Sequence, residues 1–264
     1  MCQVFYIILK NEFNLFMGKY FYLFLIGFLL NPYFINCQSV HGEVIYAQSN
    51  NWSKIASLMP YLNQEEKDRI QMSWGKSGGY TEKMKLLFND SLSHYTYVRD
   101  DKGEESNWSY KKLSYEIYRN YLDQTSFDRM DLLGKIYIVK DKIQKRKWKI
   151  VGEIKEVGGY VCMKAETYDT IKNQKIIAWF TDKILVPLGP AEFGGLPGLI
   201  LEININDNAS SIIAETINLD KIVKINSPKT KGKLISHEKY QGIVKTYIQD
   251  CIERRRNPFW DLRY

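Results

Sequence analysis

The segment from Gly189 to Ile203 limits the possible folds of this chain more than any other part of its sequence. It reads GPAEFGGLPGLILEI, so its first ten residues include four glycines and two prolines. Glycine loses much backbone entropy in a helix and proline lacks the N–H that a helix needs, so no helix can run through these residues. The apolar run from Leu199 to Leu201 follows directly and continues as an alternating pattern. The segment therefore predicts a tight turn that leads into a strand with one buried face.

Strand-like segments follow one another closely through the second half of the chain, and short connections with Gly, Asn or Asp join them. The candidates are residues 135–140, 148–156, 159–168, 175–181, 199–206 and 211–218. Parallel neighbours would need crossover connections of about a dozen residues, and these connections are too short for that. Upstream, residues 80–89 and 92–98 alternate on either side of the turn Asn89-Asp90 and predict a hairpin. We therefore predict an antiparallel meander.

Helical patterns stand at both ends of these strands. Residues 52–59 and 64–74 predict two short helices near the N-terminus, and residues 236–256 predict an amphipathic helix near the C-terminus. Residues 107–131 fit neither period and are interpreted as irregular structure with short strands or turns. The predicted class is α+β: mainly an antiparallel β meander in a curved, half-barrel-like sheet, with N-terminal helices and a C-terminal amphipathic helix.

Residues 1–39 have the pattern of a signal peptide. A charged start precedes the uncharged stretch from Tyr20 to Leu30, which is too short to span a bilayer comfortably, and small residues follow it. Met17 is the better candidate for the true start, because the residues before it add nothing that a signal needs. A membrane anchor and a lipid attached at Cys37 are the alternatives. Residues 40–264 are predicted to form a single domain.

Four short blocks of sequence stand in a fixed order in the second half of the chain. They are WKI from Trp148, GYVCMKA from Gly159, AWFT from Ala178 and FGGLPGLI from Phe193. This order resembles the GLPGLI family. The naming motif of that family corresponds here to Gly195, Leu196, Pro197, Gly198, Leu199 and Ile200. One departure is the pair Leu185-Val186, which separates Ile184 from Pro187 where an Ile-Pro pair is expected.

The resemblance implies an exported protein of a Gram-negative bacterium, located in the periplasm or at the outer membrane or cell surface, with no settled biochemical activity. We interpret the motif itself as structural, because a glycine lets the backbone pass close to a neighbour and Pro197 stiffens the entry to the strand. It is not a phosphate-binding loop, since it lacks the G-x-x-x-x-G-K-[ST] pattern and no helix follows it.

The cysteines and histidines give little sign of catalytic chemistry. Cys162 and Cys251 either pair in a disulfide or remain free and buried, and Lys164, on the same strand face as Cys162, leaves the alternative of a reactive thiol. The three histidines are His41, His94 and His237. None of them has a second ligand at the spacing of a zinc site. We therefore predict no catalytic residue, no cofactor and no metal ligand, and a protein that is not an enzyme.

The charge of the chain is mildly basic. It has 37 basic and 30 acidic side chains and a formal net charge of +7, and we predict no nucleic-acid partner for an exported chain. Residues 254–264 combine arginines with aromatic side chains, which suits peripheral contact with the headgroup surface of a membrane. The alternative is an exposed helix end with favourable dipole interactions, followed by a tail folded on the body. We predict a monomer.

The abundance of aromatic side chains is the main indication of function. They make up 14% of the chain and include 19 tyrosines. On a curved sheet, aromatic side chains can line the concave face and supply apolar area with hydrogen-bonding tips. This predicts a non-catalytic envelope protein that binds an apolar or peptide-like ligand or an outer-membrane protein. The alternatives are an envelope enzyme with a thiol or carboxylate site and an accessory subunit of an outer-membrane transport complex.

Overall fold

The computed structural model describes residues 40–75, 80–98, 115–219 and 221–264. These residues fall within one compact unit of the chain, Ser39–Tyr264. The predicted signal peptide, residues 1–39, lies outside the described residues and stays a prediction. Within the described ranges, no helix combines the length and the apolar character that crossing a lipid bilayer requires.

Twelve strands form one sheet in the described part of the chain. Their bounds are β1 (Gly42–Asn50), β2 (Tyr80–Phe88), β3 (Leu92–Tyr97), β4 (Tyr115–Asn120), β5 (Thr125–Leu132), β6 (Lys135–Lys142), β7 (Lys149–Val157), β8 (Tyr160–Asp169), β9 (Gln174–Thr181), β10 (Leu199–Ile205), β11 (Ser210–Asn218) and β12 (Lys233–Ile235). Their order across the sheet is β12, β6, β5, β4, β3, β2, β1, β11, β10, β9, β8, β7. All neighbours pair antiparallel except β12 and β6, which pair in parallel. Two antiparallel meanders therefore meet where β1 pairs with β11, and the predicted antiparallel sheet is confirmed.

The helices lie near the two ends of the described chain. They are α1 (Trp52–Ser57), α2 (Gln64–Trp74), α3 (His237–Glu253) and a short 3₁₀ helix (Pro258–Trp260). The side chains of Asn51, Asn63 and Ser236 each cap one of the three α-helices by accepting a hydrogen bond from a backbone N–H of the first turn. The predicted α+β class, with N-terminal helices and a C-terminal amphipathic helix, is confirmed.

The connection between β6 and β7 requires the sheet to curve. These two strands stand ten positions apart in the strand order, and a flat sheet would separate them by about 48 Å. The chain has to cover this distance between Lys142 and Lys149, and seven residue steps reach about 25 Å at most. The sheet therefore bends until these strands approach, while β12 and β7 remain its edges. The curvature encloses a concave inner face.

The inner face of the sheet carries the core. Tyr46 on β1 and Phe180 on β9 are fully buried, and α3 packs Val244 and Ile248 into the same apolar cluster. Burial of one such side chain stabilises the fold by about 1.5–3 kcal/mol. The helix lies against the inner face because its apolar residues recur at helical spacing and need a surface to cover.

The corner before β10 brings two backbones into contact. Gly198 has a φ of 156°, and a Cβ added there would lie 2.1 Å from the main-chain oxygen of Thr181 at the end of β9. No residue with a side chain fits this approach. The N–H of Leu199 then donates to the oxygen of Ile184 at 3.0 Å. This geometry gives the glycine of the Gly195–Ile200 motif a packing role.

Strands β4 and β5 form a more regular hairpin than the sequence indicates. Their pairing runs without a break from Tyr115 opposite Met130 to Asn120 opposite Thr125. The hairpin places Ser126 and Asp128 among the buried residues. Polar side chains on a buried face interrupt the apolar alternation that is typical of a strand, so the sequence pattern does not predict β4 and β5. Residues 107–114 of the same predicted segment lie outside the described residues.

Candidate functional site

A cavity of about 280 Å³ lies between the inner face of the sheet and α3, and we call it the first cavity. Polar and aromatic side chains from β1, β4, β5, α3, the connections on either side of β9 and the C-terminal tail line it. They include Gln48, Tyr115, Asp128, Lys172, Glu192, Tyr240 and Arg263. A charge removed from water is costly unless a partner compensates for it. The partners of these charged groups therefore define the site.

Glu192 lies in the glycine- and proline-rich segment before β10. Its carboxylate accepts a hydrogen bond of 2.8 Å from the hydroxyl of Tyr115. Burial raises the pKa of Glu192, but the positive charges of Lys172 and Arg146 and the bond from Tyr115 outweigh burial, so the pKa lies below its ordinary value. The preceding residue, Ala191, has a φ of 54°, in the left-handed region that non-glycine residues rarely adopt. A locally strained backbone thus presents an ionised acceptor to the cavity.

Arg263 ties the C-terminal tail to four strands. Its guanidinium donates to the Tyr97 hydroxyl at 2.7 Å and to the Glu82 carboxylate at 3.1 Å, and it also donates to the side-chain oxygen of Gln48. The guanidinium carbon lies 4.3 Å from the centroid of the Tyr115 ring, within the range of a cation–π contact. Burial lowers the pKa of Arg263, but the interactions with Tyr97, Glu82, Tyr115 and Tyr95 together raise it by more. Arg263 therefore keeps its charge inside the protein.

Arg119 and Asp128 form a buried ion pair in the same wall. Both guanidinium Nη atoms donate to the carboxylate, and Nη2 lies 3.2 Å from Oδ2. The two side chains are only 13% and 8% exposed, so solvent screens the pair little. Nearby, Lys172 donates from Nζ to the main-chain oxygen of Arg263 at 2.9 Å. Burial lowers the pKa of Lys172, although Glu192 attracts its charge.

The structure places the two cysteines away from this cavity. Cys162 and Cys251 are free, buried thiols, and neither of them lines the first cavity. Burial raises the pKa of Cys162 to about 11, so the nucleophilic thiolate is scarce at neutral pH. Lys164 is engaged elsewhere, because its Nζ lies 2.9 Å from Glu153. The structure therefore offers no activated thiol at Cys162.

The histidines are dispersed over the fold. His41 precedes β1 and His94 lies on β3, 3.8 Å from Glu116, while His237 begins α3 and lines the first cavity. Among the described residues, no group of three His, Cys, Asp or Glu side chains is arranged to hold a metal ion.

Sequence reasoning misses the residues that the fold brings together here. Glu192 lies in the segment from Gly189 to Ile203, and an acid among glycines, prolines and apolar residues is the signal that could have found it. Tyr115 and Arg119 lie in the segment interpreted as irregular. Arg263 lies in residues 254–264, for which the sequence predicts contact with a membrane surface. In the structure its side chain is instead buried by its contacts with Tyr97 and Glu82. No local pattern links these positions, because their separation along the chain is long.

The sequence matches the family described as "N-glycanase peptide, N-terminal domain" over residues 81–241, more than half of the chain. The chain belongs to this family. Two solved structures, of PNGF-II in space groups P21 and C2, are similar to it at 15% sequence identity, with TM-scores of 0.52 and 0.49. Each match covers 78% of this chain, and 33% and 32% of the respective PNGF-II chain. No curated protein matches the chain.

The match to PNGF-II concerns the fold of this chain and only part of the PNGF-II molecule. The chain spans about a third of the length of the PNGF-II structures that it matches. At 15% identity, the likeness to the P21 structure supports a shared fold and no shared catalytic residues.

Membership of the N-glycanase N-terminal domain family overturns two expectations. The resemblance to the GLPGLI family is wrong, since the family match over residues 81–241 is to the N-terminal domain of an N-glycanase instead. The Gly195–Ile200 motif is explained in this structure by backbone packing, because Gly198 lies directly against the main chain of Thr181. The expected function, that of an uncharacterised protein with an apolar or peptide-like ligand or an outer-membrane partner, is also wrong, because the matched family is described as an N-glycanase domain. The absence of catalysis and the location in the cell envelope stay predictions. The alternatives, an envelope enzyme with a thiol or carboxylate site and an accessory subunit of an outer-membrane transport complex, stay predictions that the family match does not test.

Proposed function

We propose that this chain recognises N-linked glycans and that the first cavity is its carbohydrate-binding site. An N-glycanase is, by its name, an enzyme that acts on N-linked glycans, and the family of this chain is an N-terminal domain of such a protein. Because the chain spans about a third of PNGF-II, the proposal concerns the contact of this domain with the glycan and not the activity of a whole N-glycanase.

The chemistry of the first cavity suits a sugar. A sugar ring has hydroxyl groups around its edge, which donate and accept hydrogen bonds, and C–H groups on its faces, which are apolar. A site for it therefore combines fixed polar groups with flat aromatic surface. The cavity offers the charged groups of Glu192 and Arg263 beside the rings of Tyr115 and Tyr240. Its volume of about 280 Å³ is close to the lower bound of small-molecule pockets, roughly 300 Å³.

The observation that carries the proposal is the environment of Glu192. An ionised carboxylate accepts stronger hydrogen bonds from hydroxyl groups than a neutral acceptor does. The bond from Tyr115 and the charges of Lys172 and Arg146 keep Glu192 ionised and hold it in position. A group that is already positioned loses little conformational entropy when a ligand arrives. Glu192 is therefore the residue that we expect to contribute most to sugar binding.

We propose recognition and not bond cleavage as the role of this chain. Glu192 and Asp128 line the same cavity, and a pair of carboxylates is also what glycoside hydrolysis uses. Burial raises the pKa of Asp128, although Arg119 opposes this rise. Both oxygens of Asp128 accept hydrogen bonds from Arg119, and a carboxyl group engaged in this way cannot present a proton to a leaving group. That the chain is not an enzyme stays a prediction, as does its export through residues 1–39.

Isothermal titration calorimetry with N,N′-diacetylchitobiose, the disaccharide at the root of N-linked glycans, tests the proposal. We expect the chain to bind the sugar and Glu192→Gln to bind it tenfold or more weakly, because a hydrogen bond to a charged group contributes about 1.5–3 kcal/mol. Glu156→Gln on the exposed side of β7 is the matched control and keeps the affinity. Unchanged affinity of a folded Glu192→Gln variant contradicts the assignment of the site. Cleavage of an asparagine-linked glycopeptide by the chain alone contradicts a role limited to recognition.

A further inference from the structure

A second cavity, of about 420 Å³, adjoins the first. The residues that line both cavities are Arg119, Gln144, Lys145, Arg146, Ala191, Glu192 and Phe193. One side of the second cavity is the inner face of β2, β3 and β4, where Tyr95 stands. The other side comes from the connection between β6 and β7, with Lys145 and Arg146, and from the segment before β10. The two cavities thus share part of their wall, and one extended ligand can reach both.

The hydroxyl of Tyr95 has no hydrogen-bond partner in the described part of the chain, although the residue is only 1% exposed. The rings of Tyr46 and Tyr115 stand edge-on to the Tyr95 ring, with centroids 6.2 and 6.3 Å away, and fix its position. Burial raises the pKa of Tyr95 far above its ordinary value, so the hydroxyl keeps its proton. A buried hydroxyl without a partner is unfavourable, and Tyr95 therefore offers a donor to a group that enters the second cavity.

Positive charge predominates around the second cavity. Arg119, Lys145 and Arg146 line both cavities, but the carboxylates of Asp128, Asp131 and Asp169 line only the first. The second cavity therefore has three cationic side chains and the single carboxylate of Glu192. Arg119 is paired with Asp128, whose carboxylate lines the first cavity and not the second. Within the described ranges, Lys145 and Arg146 form no salt bridge, and the guanidinium carbon of Arg146 lies 5.2 Å from the centroid of the Phe193 ring. This distance is within the range of a cation–π contact, which restrains the guanidinium while its N–H groups remain available to an acceptor.

We infer that the second cavity binds an anionic substituent of a sugar, such as a carboxylate or a sulfate ester, while the neutral part of the same glycan occupies the first cavity. This inference rests on the proposed function, because it takes the ligand to be a glycan, and it narrows the substrate class to acidic glycans. Arg146 supplies a planar pair of donors for the anion, Tyr95 supplies a neutral donor from the opposite wall, and Lys145 adds charge at the exposed side.

Calorimetry at low ionic strength with three matched probes tests the inference: lactose, 3′-sialyllactose and lactose 3′-sulfate. We expect at least one of the two acidic probes to bind tenfold or more tightly than lactose. We call this ratio of affinities the advantage of the acidic probe, and we expect 150 mM salt to reduce it. Arg146→Met and Tyr95→Phe should each reduce the advantage several-fold. Tyr95→Phe removes a hydroxyl without a partner, so we expect its thermal stability to be unchanged or higher. Weaker binding by this variant would then not result from unfolding. Lys147→Met, at the next and exposed position, is the control and keeps the advantage.

The outcomes separate the inference from the proposed function. Equal affinity for the three probes overturns the inference, and so does an advantage of the acidic probes that persists in both Arg146→Met and Tyr95→Phe. If N,N′-diacetylchitobiose binds in either case, the proposed function stands. If it does not bind but the acidic probes bind through Arg146 and Tyr95, the inferred anion site stands and the proposed N-glycan function fails. If no probe binds, both fail. A preference for the carboxylate or for the sulfate identifies the acidic group.

Discussion

The guanidinium of Arg263 lies over the ring of Tyr115, 4.3 Å from its centroid, and the hydroxyl of the same tyrosine donates to Glu192. One side chain on β4 therefore connects the C-terminal tail to the acidic residue of the first cavity. Groups that share a partner inside a protein do not act independently. We therefore expect a substitution of Arg263 to change the environment of Glu192, and a substitution of Glu192 to change that of Arg263.

Removal of Arg263 should destabilise the fold strongly. Arg263→Ala leaves Glu82 without its 3.1 Å partner in a partly buried position, and breaking such a pair costs about 3–5 kcal/mol. Arg263→Lys should recover only part of this loss, because lysine lacks the planar fork of donors. Urea unfolding monitored by circular dichroism measures the free energy. Arg254→Ala is the control: its side chain is 67% exposed, so we expect a loss of about 0.5 kcal/mol or less. A similar small loss for Arg263→Ala would show that the tail is not anchored by this residue.

Removal of the Tyr115 hydroxyl should weaken both the fold and the site. Tyr115→Phe deletes the 2.8 Å hydrogen bond to Glu192, and we expect a loss of about 1.5–3 kcal/mol in the free energy of unfolding. Affinity for N,N′-diacetylchitobiose should fall as well, because Glu192 loses its fixed position. Tyr118→Phe, three residues along β4 and therefore on the opposite face, is the matched control and should change neither quantity. Equal effects of the two substitutions would contradict the role given to Tyr115.

The sequence predicts the architecture of this protein better than its site, and β4 and β5 illustrate why. Apolar alternation is a local property, so the strands of the second half and the cap of α3 at Ser236 can be found from neighbouring residues. The inner face of β4 and β5 carries Arg119 and Asp128, which are buried because they pair with each other. That pairing depends on the tertiary structure. The apolar alternation of β4 and β5 is lost where these polar side chains lie inside the protein. Glu192 and Arg263 meet Tyr115 for the same reason, across long separations in sequence.

The corner before β10 should not tolerate a side chain at Gly198. In Gly198→Ala the new Cβ would stand 2.1 Å from the oxygen of Thr181, at a φ that alanine rarely adopts, and we expect a loss of about 3 kcal/mol or more. Gly242→Ala in α3 is the control, since nothing lies within 4 Å of its added Cβ. We expect it to stabilise the protein by about 0.5–1 kcal/mol. Thermal unfolding of the two variants distinguishes them, and a stable Gly198→Ala would remove the packing role of the motif.

The contribution of Glu192 to stability should depend on pH in a defined direction. Its pKa in the folded protein lies below the ordinary value of 4.5, so folding favours the ionised form. This stabilisation is complete above pH 4.5 and disappears as the pH falls through the folded value. The wild type should therefore exceed Glu192→Gln in free energy of unfolding at pH 7, and the difference should shrink below pH 4.5. Urea unfolding at pH 7, 5, 4 and 3 measures this difference in the free energy of unfolding. A difference that grows as the pH falls would contradict a lowered pKa of Glu192 in the folded protein.

The two buried cysteines should resist alkylation in the folded protein. Burial raises the pKa of Cys162 to about 11 and leaves little thiolate at pH 8, and Cys251 is only 1% exposed. Peptide mapping after a short iodoacetamide pulse should find both unlabelled without urea and both labelled in 8 M urea. A Ser57→Cys variant, at an exposed position of α1, supplies the positive control for labelling. Rapid labelling of Cys162 in the folded protein would restore the reactive thiol that the structure argues against.

A crystal structure of the chain with N,N′-diacetylchitobiose tests carbohydrate recognition most directly, because it locates the sugar without relying on variants. We predict that the disaccharide occupies the first cavity, with a sugar hydroxyl donating to the carboxylate of Glu192 and a ring face against Tyr115 or Tyr240. A sugar bound on the outer face of the sheet, with the first cavity empty, would contradict the proposal.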